Sequence, residues 1–146
     1  HINIHTFQIL TKEPRRMEEF LSRKKRKVLN NVWLGTSVED FRVSYRIDEL
    51  RRCSAKVRFV SFEPLIGPIG EIDLSQIHWA IVGGESGPNA RPIDAGWVDQ
   101  IYEQCERRKV AFFFKQWGGV QKKKTGRTYK GKIWDGMPDC SAALAT

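Results

Sequence analysis

Ile81-Val82-Gly83-Gly84-Glu85-Ser86-Gly87 is the segment of this 146-residue chain best equipped for chemistry. Two glycines directly after an apolar run let the backbone approach a ligand closely and expose N–H groups. Glu85 behind them can accept hydrogen bonds from an amine or from ribose hydroxyls. Gly83, Gly84, Glu85 and Ser86 are therefore candidate cofactor contacts. A tight turn in which glycine only supplies positive φ would leave the same letters. The spacing is neither GxGxxG nor GxSxG, so no dinucleotide fingerprint or nucleophile elbow is met.

Ser61-Phe62-Glu63-Pro64 sets a carboxylate one step past another apolar run, with proline fixing its direction. A carboxylate at that depth needs a partner to stay ionised. Lys115, at the end of Phe112-Phe113-Phe114, is expected to supply it from a neighbouring strand. The pair is a candidate for proton transfer or substrate positioning, or else a structural ion pair. Ser37 and Glu39 repeat the arrangement one corner earlier, Glu39 as a third candidate catalytic group and Ser37 as a cofactor contact. Lys12 and Gln116 complete a polar ring. With Trp117, the aromatic inside a corner, and Arg91, in the stiff loop 88–92, they are candidate substrate contacts. No metal site is expected. His1, His5 and His78 are scattered, and Cys53, Cys105 and Cys140 are widely spaced and form no CxxC pair. Cys53 and Cys105 read as small buried residues on helix faces.

Five apolar stretches carry these groups, at 6–10, 32–34, 57–60, 79–82 and 110–114, and each runs into a polar or glycine-rich corner. Near-continuous apolar strands alternating with helices indicate a parallel sheet, because parallel strands need crossover connections. In such folds the strand C-terminal ends lie on one face, where active sites are built. The helical pattern predicts a first helix from Pro14 to about Arg26, with Met17, Phe20 and Leu21 inward. A second is predicted from about Glu39 to Cys53, capped by Asp40 or Ser37, and a last from about Asp94 to Arg108. Pro64, Gly67, Pro68 and Gly70 exclude a long helix between the third and fourth strands.

The basic, glycine-rich stretch 118–138 reads as a hairpin, with its turn at Lys-Lys-Thr-Gly-Arg and Trp134 as an anchor. Residues 139–146 read as a disordered tail. The expected class is α/β: a single domain over 1–138, a partial (β/α) barrel of TIM-like or radical-SAM-like kind with the basic hairpin. A closed eight-stranded barrel needs about 250 residues, so the chain reads as the C-terminal portion of something longer.

The formal charge is +8, concentrated in Arg23-Lys24-Lys25-Arg26-Lys27 and in Lys122-Lys123-Lys124 with Arg127, Lys130 and Lys132. Such runs either track phosphates or are solvated element ends. No apolar run reaches the roughly 20 residues of a membrane span. The widely spaced cysteines fit a cytoplasmic, reducing compartment.

Phe7-Gln8-Ile9-Leu10-Thr11-Lys12, Val32-Trp33-Leu34-Gly35-Thr36-Ser37-Val38-Glu39, Arg58-Phe59-Val60-Ser61-Phe62-Glu63-Pro64-Leu65, Val82-Gly83-Gly84-Glu85-Ser86-Gly87 and Phe112-Phe113-Phe114-Lys115-Gln116-Trp117-Gly118 occur here in that order. Together they resemble a group of phage- and prophage-associated uncharacterised proteins that are themselves similar to radical S-adenosylmethionine enzymes. The resemblance runs to about Pro138. It implies a barrel whose strand ends line a cofactor or substrate cavity, with S-adenosylmethionine and a [4Fe–4S] cluster as cofactors. The cluster ligands, three close cysteines in an upstream segment of longer members, are absent from this chain, which alone is expected to be inactive. Gly83-Gly84-Glu85 is similar to the motif that contacts the cofactor's amino group. The implied partners are a small-molecule or nucleic-acid substrate, and an upstream barrel half or a second copy at an open sheet edge. The alternative is a non-enzymatic phage nucleic-acid-binding module built on the basic hairpin with Tyr129 and Trp134.

Overall fold

The computed structural model describes residues 5–23 and 25–139. Its centre is one open sheet of β1 (Phe7–Thr11), β2 (Val32–Ser37), β3 (Arg58–Phe62), β4 (Trp79–Gly83) and β5 (Ala111–Gln116). The strands lie side by side in sequence order, and every neighbouring pair is parallel. Each occupies an expected apolar stretch and continues past it into the polar corner.

A sheet wound in sequence order by right-handed crossovers puts every crossover on the same face. The packing follows that rule. Leu34, Val60, Phe62, Ala80, Val82, Phe112 and Phe114 point to one side. There they meet α2 (Arg46–Arg52), α3 (Ala95–Arg108) and the irregular β3–β4 crossover with Leu65, Ile69, Leu74 and Ile77. Trp33, Phe59 and Trp79 occupy alternate strand positions, join Val57, Ile81, Ala111 and Phe113 on the other side, and meet no helical residue there. One face of the sheet is clothed by helices; the other carries no helix among the described residues and is called bare in that sense, its rings covering one another so that Trp33, Phe59 and Trp79 keep only 2–4 % exposure.

The helices differ from expectation where a local contact outweighs periodicity. α1 (Pro14–Arg23) stops short of Arg26 because Lys25 turns left-handed (φ 45°) and the Arg26 amide bonds back to the Leu21 carbonyl at 3.0 Å. Phe20, expected inward, is 52 % exposed and lies under the Arg26 guanidinium, 4.6 Å from its ring centre. The predicted helix from Glu39 is instead a 3-10 turn, Phe41–Val43, followed by α2. The Val38 amide bonds Ser61 O at 2.9 Å and the Ile66 amide bonds Glu39 O at 3.0 Å, which ties Val38 and Glu39 to the β3 corner. Asp40 caps the 3-10 turn by accepting from the Arg42 amide, and Asp94 caps α3 by accepting from the Gly96 amide. Gln104, buried in α3, holds the crossover: its Oε1 accepts from the Ile72 amide and its Nε2 donates to Gly70 O, both at 2.9 Å.

The expected hairpin is also redrawn. Lys122–Thr125 forms one helical turn, α4, rather than a β-turn. The reversal lies further on, at Lys130-Gly131, where both residues have positive φ (46° and 74°) and Tyr129 pairs with Lys132. Trp134, Asp135 and Gly136 then run antiparallel along the outer edge of β5, with Phe114 N–H to Trp134 O at 2.9 Å and Gly136 N–H to Phe112 O at 3.0 Å. At the opposite edge, Phe7, Ile9 and Leu10 of β1 are about half exposed. Of the expected tail, residues 140–146 lie outside the described residues, as does His1.

A polar rim above an apolar sheet face

On the bare face, register carries side chains across the strands in rows. One row is Leu10, Gly35, Phe59, Trp79 and Ala111, and the next is Ser37, Ser61, Ile81 and Phe113. Gly35 makes room for the Phe59 ring, whose atoms lie 2.4 Å from where a Cβ would sit. Trp79 anchors this floor with edge-on contacts to Trp33 (5.8 Å) and Phe113 (6.0 Å). Its indole N–H donates to Gly136 O at 2.7 Å. Above the floor lies a hollow of about 320 Å³, bounded at its C-terminal rim by Glu63 and Lys115.

Lys115 Nζ lies 3.1 Å and 3.2 Å from the two Glu63 oxygens, and the buried Gln116 amide donates to Glu63 Oε1 at 3.2 Å and to Gly84 O at 3.3 Å. The expected pair exists, but not between neighbouring strands: β4 lies between β3 and β5. Gly83, between them on β4, leaves the pair ample room. A Cβ there would sit 3.3 Å from Glu63 Cδ and 3.5 Å from Lys115 Cβ. The Glu63 side chain keeps 22 % exposure and Lys115 49 %, so both face solvent and anything that enters the hollow.

A second cluster lies beside it. Lys12 Nζ forms an ion pair with Glu39 Oε1 at 2.7 Å. Arg46 Nη1 donates to Glu39 Oε2 at 3.1 Å and to Ser37 O at 3.0 Å. Burial pushes the Glu39 carboxyl up, but Lys12 and Arg46 outweigh it and hold the group below its ordinary value. Ser37 is buried beneath this cluster. Arg46 was not legible as a site residue, because nothing in its spacing shows that the start of α2 folds back over the β2 corner.

The glycine-glycine-glutamate corner is filled by the chain itself. A Cβ on Gly84 would lie 1.9 Å from Trp117 O, and the Gly84 amide donates to Gln116 O at 2.9 Å. Gly118 packs as closely on Glu85 O. The two glycines thus serve the crossing of the β4 and β5 corners rather than an open cradle. Both Glu85 oxygens are taken by Arg91, through its backbone amide (2.9 Å), Nε and Nη2 (2.8 Å each). This pairing holds the Glu85 carboxyl down at about 2. Ser86 is exposed and bridges to Gly119. Trp117 is an anchor: its indole N–H donates to Thr128 O at 2.8 Å and its ring packs on Phe114 and Tyr129.

The basic segment spends its aromatics in the core. Tyr129 is 4 % exposed, donates its hydroxyl to Asp99, and joins Tyr102, Phe112 and Trp134 in a cluster of tilted and edge-on rings. Arg127 pairs with Asp135, Lys130 with Asp99, and Lys132 lies over Trp134.

The remaining groups offer little chemistry. Cys53 and Cys105 are buried, and burial pushes their thiols up to about 11 and about 12. His78 Nδ1 accepts from the Arg58 amide at 3.0 Å, away from the rim. A larger hollow of about 910 Å³ opens at that opposite end of the strands, beside Met137, Pro138 and Asp139, and holds none of the candidate groups. Among the described residues no group of three His, Cys, Asp or Glu could hold a metal ion, and no helix is long and apolar enough to cross a membrane.

These features define a singly wound parallel α/β domain with one bare face and an ion-paired rim at its strand C-termini. The chain belongs to the DUF5131 family, described as a protein of unknown function, whose family model matches residues 1–138. No curated protein and no solved structure matches it.

Proposed function

We propose that this domain forms the later strands of a (β/α)-barrel-type enzyme and that the bare sheet face is part of its substrate cavity. The observation that carries this is the ordered change of chemistry along that face. An apolar floor of Phe59, Trp79, Ile81 and Phe113 gives way at the strand C-termini to the Glu63–Lys115 pair. Parallel folds place their reactive groups at that end. The β1 edge, with Phe7, Ile9 and Leu10 half exposed, is where further strands would continue the barrel. The substrate class that fits has an apolar or aromatic body and an ionisable head. Lys115 and Glu63 would orient that head or move a proton to or from it.

A relation to radical S-adenosylmethionine enzymes implies an iron–sulfur cluster, which the described residues do not fit. Cys53 and Cys105 are buried in separate elements with raised thiol values. The Gly84–Glu85 corner has its donor and its carboxylate already engaged.

The test is binding of small aromatic acids and amines, followed by two-dimensional amide NMR. Ligands should perturb Ile81, Phe113 and Lys115, and filling the face with Ile81→Trp should abolish the effect. Perturbations that gather elsewhere and survive Ile81→Trp would overturn the proposal.

A further inference from the structure

Beside the bare face, Lys12, Glu39, Asp40, Arg42, Arg46 and Arg91 surround a separate hollow of about 430 Å³. It adjoins the first, because Pro64 lines this one and Glu63, the preceding residue, lines the other. Four cations face it. Three carboxylates balance them in part: Glu39 against Lys12 and Arg46, Asp40 against Arg42, and Glu85 against Arg91. One positive charge is left over, and the donors are not used up.

Arg42 and Arg91 each commit Nε and Nη2 to a carboxylate, and Nη1 of each has no hydrogen-bond partner among the described residues. Arg46 goes further. Its side chain is 14 % exposed, and among the described residues its Nε has no hydrogen-bond partner, nor has Glu39 Oε1. Guanidinium N–H groups that the protein leaves unmatched at the hollow are best completed by an acceptor carrying negative charge. The carboxylates already present hold the three guanidiniums in place, as orienting partners do around a binding site.

We propose that this hollow is an oxyanion site, taking the phosphate or carboxylate group of a ligand between Arg46, Arg42 and Arg91 with Lys12 at its lip. The inference rests on the reading of the strand ends as a ligand site: the ligand lies on the bare face with its ionisable head at Glu63 and Lys115, and a second, anionic group reaches this neighbouring hollow. Guanidinium forks match planar and tetrahedral oxyanions through paired N–H groups, which a lone ammonium does not.

The test is calorimetric titration with inorganic phosphate, and in parallel with acetate, at constant ionic strength and neutral pH. Saturable binding of one of these, unmatched by chloride, is expected. Its strength should fall about tenfold in Arg42→Gln and in Arg91→Gln. Arg46→Lys, which keeps the charge but loses the planar guanidinium, should weaken it by a similar factor, while Lys123→Gln leaves it unchanged. Phosphate binding alone would assign a phosphate-bearing ligand, and acetate binding alone a carboxylate. No saturable binding, or equal loss in Lys123→Gln, would overturn the site. Because the probes lack an organic body, oxyanion binding without any ligand on the bare face would uphold this site and count against the proposed substrate cavity. Ligand binding on the face without oxyanion binding would do the reverse.

Discussion

Gly83 and Gly84 are adjacent and identical in type, yet the structure uses them for different ends. At Gly84 a Cβ would lie 1.9 Å from the Trp117 carbonyl oxygen, a backbone atom, so the chain itself would have to shift. Gly84→Ala should destabilise the domain by about 3 kcal/mol. Gly83→Ala meets only the Glu63 and Lys115 side chains at 3.3–3.5 Å, which can give way, so its effect should stay within about 1 kcal/mol. Denaturant unfolding of the two variants reads the difference directly, and equal losses would contradict it.

Glu85 gives a second residue-scale outcome. Its carboxyl is held at about 2 by Arg91, against an ordinary value of 4.5. A carboxyl depressed in the folded state adds stability that is present above about 4.5 and lost as pH falls toward 2. A carbon-13 titration of the Glu85 carboxyl should show it ionised at pH 3.5, and a midpoint near 4.5 would show that the Arg91 contact does not persist in solution. In a Cys140→Ser background, the two buried thiols should resist alkylation at pH 8 until the protein unfolds.

At the residue scale the sequence marked the right corners but assigned their contacts unevenly. The Glu63–Lys115 pair was legible because a carboxylate at that depth demands a cation. That Lys115 reaches over an intervening strand was not, since it depends on the strand order β3-β4-β5, which corner residues do not reveal. Glu85 looked free for a ligand, because only the path of loop 88–92 brings Arg91 back onto it.

At the scale of elements, parallel strands were legible from five apolar runs with no hairpin spacing between them. What periodicity could not show was how far a corner holds the backbone extended, as the Ser61 and Glu39 carbonyls do at the start of the second crossover. The run Lys-Lys-Thr-Gly-Arg misled for a related reason: glycine follows a turn of helix there, while the true reversal uses a left-handed lysine before Gly131. The element most exposed to a single change is the helix-free crossover between β3 and β4, because among the described residues only Gln104 of α3 satisfies the Ile72 amide and the Gly70 carbonyl. Gln104→Leu keeps the apolar volume but strands both groups, and should cost about 2 kcal/mol in equilibrium unfolding. A loss within a few tenths would mean that water replaces the side chain there.

At the scale of the whole molecule, the two edges and the two faces of the sheet are unlike. Among the described residues, the β5 edge is covered by Trp134, Asp135 and Gly136 while the β1 edge is not, and one face is clothed by helices while the other carries none. Sequence-ordered parallel strands make the bare face inevitable, and the rows of residues on it give that face a direction, apolar at one end and ion-paired at the other. The most direct measurement is a crystallographic soak of small aromatic acids and amines. Density lying on Phe59, Trp79 and Phe113, with its ionisable group against Glu63 and Lys115, is the expected result. Ligands seated only at the opposite end of the strands, with the bare face empty in every soak, would contradict the assignment of this face as the substrate cavity.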